Sequence, residues 1–160
     1  MGYVHYFGND VEVFPEEFII DVTSVIMEHI NILDRIQITK TLIQFNGKPG
    51  SSCETFHFRA NHSDWCKTGR FWVEDYDLPV CSVLLLAIYH LNAEVTSDGL
   101  ATLFVNLEKQ SVSKYWEAAI QYVKQKFDYI FERELYFDEY KQERIRLNPL
   151  SEVNDNDREG

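Results

Sequence analysis

Residues Leu78 to Leu91, LPVCSVLLLAIYHL, are apolar on every side, broken only by Pro79, Ser82 and His90. A helix with no polar face belongs inside a protein rather than on its surface. At about fourteen residues it is too short to span a bilayer, so it reads as the buried central helix of a globular domain. Asp77 or Leu78 can stand at its N-cap, and Pro79 fits the first turn, where the missing N–H costs nothing. The residues ahead of it are the opposite. Lys67, Thr68, Gly69, Arg70, Tyr76 and Asp77 crowd polar groups onto a segment that reads as a loop held by the helix, a common place for function.

A buried helix needs a coat, and the chain supplies one. Met1 to Asp10 reads as an extended arm ending in a turn. Pro15, Glu16 and Glu17 open a helix, with acids at the positive end of its dipole. Phe18, Val22, Val25, Ile26, Ile30 and Leu33 give it one apolar stripe. Arg35 to Phe45 (RIQITKTLIQF) reads as a strand with an irregularity near Lys40, and Cys53 to Arg59 as a second strand across the loop 46–52. In that second strand Phe56 and Phe58 face one way, and Thr55, His57 and Arg59 the other. Short strands are expected at Glu94–Ser97 and Leu100–Leu107 around a turn at Asp98-Gly99. Ser111 or Ser113 can cap a helix whose stripe is Val112, Tyr115, Trp116, Ala119, Ile120, Val123 and Phe127, with amphipathic sequence continuing to Leu147. The expected architecture is α+β: one domain over residues 1–147, with a small antiparallel sheet from the 36–59 hairpin and the 94–107 strands. That sheet packs on the central helix and the 111–127 helix. Residues 148–160 read as a flexible acidic tail.

The chain of 160 residues carries a net charge of −11, which disfavours a general nucleic-acid binder, because phosphate contacts need a basic surface. Within it, Arg35 to Trp72 holds six basic residues (Arg35, Lys40, Lys48, Arg59, Lys67, Arg70) against two acidic ones (Glu54, Asp64). Such an island is either an anion site or a set of solvated strand faces. Three cysteines, an odd number, point away from a disulfide framework and toward a reducing compartment. The N-terminus has neither a basic nor an apolar signal region, so a soluble cytoplasmic protein is expected.

Cys53, His57, His62 and Cys66 are all zinc-ligand types, but they lack a tight Cys-x2-Cys knuckle, so half-buried cysteines and surface histidines are expected, with no metal and no cofactor. The loop GKPGSS lacks the order of a P-loop and joins two strands, which leaves it as a rim offering Lys48 to an anion. Cys66 beside Lys67 and Arg70 could be an activated thiol, though no histidine can be assigned as its base, and a structural cysteine is the plainer reading. Tyr76 and Asp77 could act as acid and base, or as a cap with a packed ring. His90 and Tyr89 read as a satisfied core pair.

With these residues in view, Glu54-Thr55-Phe56-His57-Phe58, Trp65-Cys66-Lys67-Thr68-Gly69-Arg70 and Tyr76-Asp77-Leu78-Pro79-Val80-Cys81 together resemble a family of small phage and prophage proteins of unassigned activity. Ser97-Asp98-Gly99 and Trp116-Glu117-Ala118-Ala119 extend the likeness, which covers residues 36 to 125. The chain departs from it in the acidic stretch Phe71–Asp75, where the family has a shorter, more basic link. The resemblance implies a phage-type accessory factor acting on a host component, for example as an antagonist of host defence.

The expected function is therefore a non-enzymatic binding protein. In its sharper form Arg59, Lys67, Thr68, Arg70 and Tyr76 line a site for an anionic small ligand such as a nucleotide, with the Tyr76 ring stacking on a base. The alternative is an acidic protein–protein inhibitor or nucleic-acid mimic. An enzyme comes third, since no nucleophile–base–orienter set is visible along the chain.

Overall fold

The apolar run forms α2 (Asp77–Leu91), in which every residue is buried except Leu78, Tyr89 and His90. It ends at Asn92 in the left-handed conformation (φ 53°), a position asparagine tolerates well. Around it lie, in chain order, β1 (Tyr3–Gly8), α1 (Glu16–Glu28), β2 (Leu33–Ile38), β3 (Leu42–Gly47), β4 (Phe56–Arg59) and β5 (Ser63–Gly69). After α2 come β6 (Glu94–Ser97), β7 (Leu103–Val105), β8 (Glu108–Gln110), α3 (Lys114–Phe127), β9 (Phe131–Phe137) and β10 (Glu143–Pro149). This computed structural model describes residues 2–101, 103–105, 108–110 and 112–150, with the backbone alone for the strands between 103 and 110. The fold is α+β in one domain, as the pattern predicts, and α2 packs against both α1 and α3. No helix among the described residues is long and apolar enough to cross a membrane.

The helices follow their stripes. In α1 Phe18, Val22, Val25 and Ile26 are buried, with Pro15 at the N-cap. The stripe stops there: Ile30 lies exposed in a 3-10 turn, and Leu33 already belongs to β2. In α3 Trp116, Ala119, Ile120 and Val123 are buried, and the Ser113 hydroxyl accepts the Trp116 N–H at 3.3 Å, the capping contact its sequence predicts. Ser111 lies outside the described residues.

The strands correct the sequence reading in four places. Arg35–Phe45 is not one strand but the facing halves of β2 and β3. Thr39 Oγ1 accepts the N–H groups of Thr41 (3.2 Å) and Leu42 (2.9 Å), so the threonine closes a tight turn with Lys40 at its tip. The strands of the expected single sheet fall in three, β2-β3-β4, β5-β1-β6 and the pair β7-β8, all antiparallel. The N-terminal arm is the central strand of the second sheet, and by pairing with Ser63–Gly69 it makes the first residues of the expected loop, Lys67–Gly69, part of β5. Finally, α3 stops at Asp128, left-handed at φ 62°, and the amphipathic sequence from there to Pro149 is the hairpin β9–β10. Its inward positions Phe131, Ile145 and Leu147 are buried, which explains the apolar residues that looked helical. Residues 148 and 149 belong to β10, and 151–160 of the expected tail lie outside the described residues.

The turn of this hairpin is organised by Asp138, whose carboxylate accepts the Tyr140 and Gln142 N–H groups (both 2.9 Å) and Arg144 Nε (3.0 Å). The Gln142 N–H above all holds this carboxyl below the usual carboxylate range. A depressed native value means that the stabilisation is present above the unfolded value, near ~4, and is lost as pH falls through the native one. Amide protection across residues 131–149, with exchange normalised to its intrinsic rate, should therefore fall in acid, and Asp138→Asn should abolish that acid step.

Candidate functional site

Two arrangements stand out, one buried and one exposed, and the first builds the base of the second. In β1 Tyr3, His5 and Phe7 share one face by the two-residue period of a strand, and His5 and Phe7 are buried. His5 lies opposite Cys66 and Ser97 in the two flanking strands. Its Nε2 is 2.6 Å from Asp77 Oδ1 and its Nδ1 is 2.7 Å from Ser97 Oγ. Ser97 Oγ also accepts Trp116 Nε1–H (2.9 Å) and the Gly99 N–H (3.1 Å). Both are obligatory donors, so the serine hydroxyl gives its own proton to His5 Nδ1, which leaves Nε2–H to donate to Asp77. The Thr68 hydroxyl donates to the same Asp77 oxygen (2.6 Å), and the Cys81 thiol to the other (3.5 Å). Burial pushes the Cys81 thiol well above its ordinary range, consistent with its role as a neutral donor.

The order Ser97–His5–Asp77 is that of a hydrolytic relay. Its chemistry is closed, however, because Ser97, His5 and Cys81 are fully buried and both acceptor sites of the serine oxygen are filled. Space is equally short at Gly99, where a Cβ would come within 2.1 Å of the Tyr3 hydroxyl and 2.6 Å of Ser113 Oγ. No substrate carbonyl can reach the oxygen. His5, Asp77 and Cys81 are also the one group of three metal-ligand residues close enough together among the described residues. The 2.6 Å His5–Asp77 separation is that of a hydrogen bond, whereas two ligands on one tetrahedral zinc would stand roughly 3.3 Å apart. Cys53, His57, His62 and Cys66 do not come together as such a group.

The exposed arrangement follows β5. Gly69 bridges to Val73, and the Glu74 N–H donates to the Thr68 carbonyl at 3.0 Å, so the chain makes a short excursion with Arg70, Phe71 and Trp72 at its tip. Gly69 is required here, since a Cβ would lie 2.4 Å from the Trp72 carbonyl oxygen. Phe71 is 94% exposed and Trp72 67%. Both ends of the excursion are tied down. Thr68 enters it bonded to Asp77, and the Tyr76 hydroxyl donates to the carbonyls of Glu54 (2.6 Å) and Lys67 (3.2 Å).

The structure thus disperses the residues that the sequence gathered. Arg59 sits at the end of β4, paired with Asp64 at 3.0 Å. Lys67 is half-buried on the outward face of β5, where its N–H donates to Glu54 Oε1. Thr68 is buried, and so is the Tyr76 ring, which leaves no face for a base to stack on. Asp77 is the first helical residue and does not cap, because its carboxylate is committed to His5 and Thr68. Of the five residues expected to hold an anion, Arg70 alone lines a surface cavity, of about 290 Å³, where it shares walls with Cys53, Glu54, Trp72 and Glu74. Cys66 is buried with its thiol pushed upward by burial, the opposite of an activated nucleophile. His90 does find a partner, Asp21 at 2.7 Å, with the Tyr129 hydroxyl on the same carboxylate oxygen.

His5, Ser97, Phe71 and Trp72 were missed along the sequence. The alternation Tyr3-His5-Phe7 was the available signal: a histidine between two aromatics on one strand face must be buried and must find partners. No family model, curated protein or solved structure matches the chain.

Proposed function

We propose that this chain is a non-enzymatic binding protein that docks on a partner protein through the Arg70–Phe71–Trp72 tip. The observation that carries this reading is the exposure of two adjacent large aromatics, Phe71 at 94% and Trp72 at 67%, on a backbone held at both ends. Each aromatic withdrawn from water on docking stabilises a complex by about 1.5–3 kcal/mol. Trp and Arg are also the residues that most often dominate interface energies. A tip anchored by Thr68 and Tyr76 loses little freedom on binding, so more of that energy survives as affinity. The net charge of −11 favours a partner whose surface is basic around the pocket that takes the aromatics. The resemblance to phage proteins supplies the setting, a host component as partner.

Sequestration of a free anion is the weaker form of this reading. Glu54 and Glu74 line the cavity beside Arg70, so an anion there meets two carboxylates and one guanidinium. Quantitative retention from cell extract on immobilised protein tests the proposal. Proteins held by the wild type should be lost from Phe71→Ala/Trp72→Ala, whose melting temperature should stay within about 2 °C because surface truncations cost little. Undiminished retention by that variant would take the tip out of the interface. A nucleotide-induced thermal shift that vanishes in Arg70→Ala would return the reading to anion capture.

A further inference from the structure

Sheet β5-β1-β6 ends on a strand with one side unpaired among the described residues, since β6 bonds to β1 alone. Arg144 Nη1 covers the Ser97 carbonyl at 3.4 Å, which closes one end of that edge. The rest, Glu94 to Thr96, forms a wall of a groove of about 700 Å³. The opposite wall is β10 and the β9–β10 turn, and Ile88 and Leu147 contribute apolar surface between them. A strand edge left open beside a groove offers a row of N–H and C=O groups to an extended chain, and side chains on alternate positions of that chain can reach the walls.

The charge of the groove selects the occupant. Arg146 is engaged by Glu134 and Asp138 by Arg144, whereas Asp10, Glu94 and Glu139 have no ion-pair partner among the described residues. The free charge is negative. The chain's own C-terminal residues 151–160 carry four acids against one arginine, so like charge disfavours them as the occupant, and it disfavours nucleic acid equally. We infer that the groove beside β6 is a strand-addition site for a basic, extended segment of a partner protein. It lies at the Gly8–Ser63 end of the sheet and the aromatic tip beyond Gly69, roughly 20 Å along β5, so the two sites stand or fall separately.

The test uses the full-length protein labelled with nitrogen-15 and a synthetic eight-residue peptide alternating lysine and threonine. Saturable binding is expected, with amide shifts centred on Glu94–Thr96, and weakening as salt is raised. Methylating alternate backbone nitrogens of the peptide should abolish it, because the main chain makes the bonds. Glu94→Lys/Glu139→Lys should weaken it roughly tenfold, the size expected for reversing two nearby charges, while Phe71→Ala/Trp72→Ala should not change it. Equal binding of a glutamate–threonine peptide, or no saturation at millimolar concentration, would overturn the inference. So would a concentration-dependent dimer abolished by the same reversals, which would make a second copy of the chain the occupant.

Discussion

Asp77→Ala should destabilise the protein by about 2–5 kcal/mol, measured by urea denaturation at neutral pH. The carboxylate is the common acceptor for His5 Nε2–H, the Thr68 hydroxyl and the Cys81 thiol, all buried. Removing it leaves buried donors without partners, and each orphaned group costs about 1–3 kcal/mol. Thr68 can rotate its proton and Cys81 is a weak donor, so the imidazole bears most of the loss. Asp77→Asn keeps one acceptor oxygen but adds two donors, and should fall between wild type and alanine. The same variants report on the tip, since Thr68 leads into it. Amide exchange at 69–75 should quicken in Asp77→Asn, before the fold is lost. A loss under half a kilocalorie for alanine would mean the relay holds nothing together.

Leu85→Ala should cost a comparable 2–5 kcal/mol, roughly the range for truncating a fully buried leucine. Leu85 lies at the middle of α2 with no exposed surface, between neighbours Leu84 and Leu86 that are equally buried. A helix enclosed on all sides cannot collapse toward the cavity without moving the two helices packed on it. The expected value is therefore in the upper half of that range. The denaturant slope should be unchanged, because the surface exposed on unfolding hardly differs. Leu85→Met, close in volume, should cost under about 1.5 kcal/mol.

Much of this architecture was legible residue by residue. The unbroken apolar run could only be an enclosed helix, and α2 occupies residues 77–91 almost as its composition demands. The stripe of α3 and its Ser113 cap are local patterns with a single helical solution. Phe56 and Phe58 went inward together because a strand has a period of two. The amphipathic sequence from 128 to Leu147 did not reveal its hairpin for the same kind of reason: sparse apolar positions fit both periods, and the left-handed Asp128 that ends α3 is not marked by a glycine. What the local pattern could not carry was partnership. His5 meets Asp77 and Ser97 across separations of 72 and 92 residues. Its alternation in β1 fixes which way it faces but not what stands there. Likewise Lys67–Gly69 reads as the start of a polar loop until β1 lies beside it to take its backbone hydrogen bonds. The exposed pair Phe71 and Trp72 became a tip only when Gly69 closed on Val73, and Tyr76 was withdrawn from any ligand by the same packing. Periodicity is a property of the chain and is written in it, whereas strand order, buried hydrogen-bond partners and the surface left over depend on contacts that only the folded chain makes.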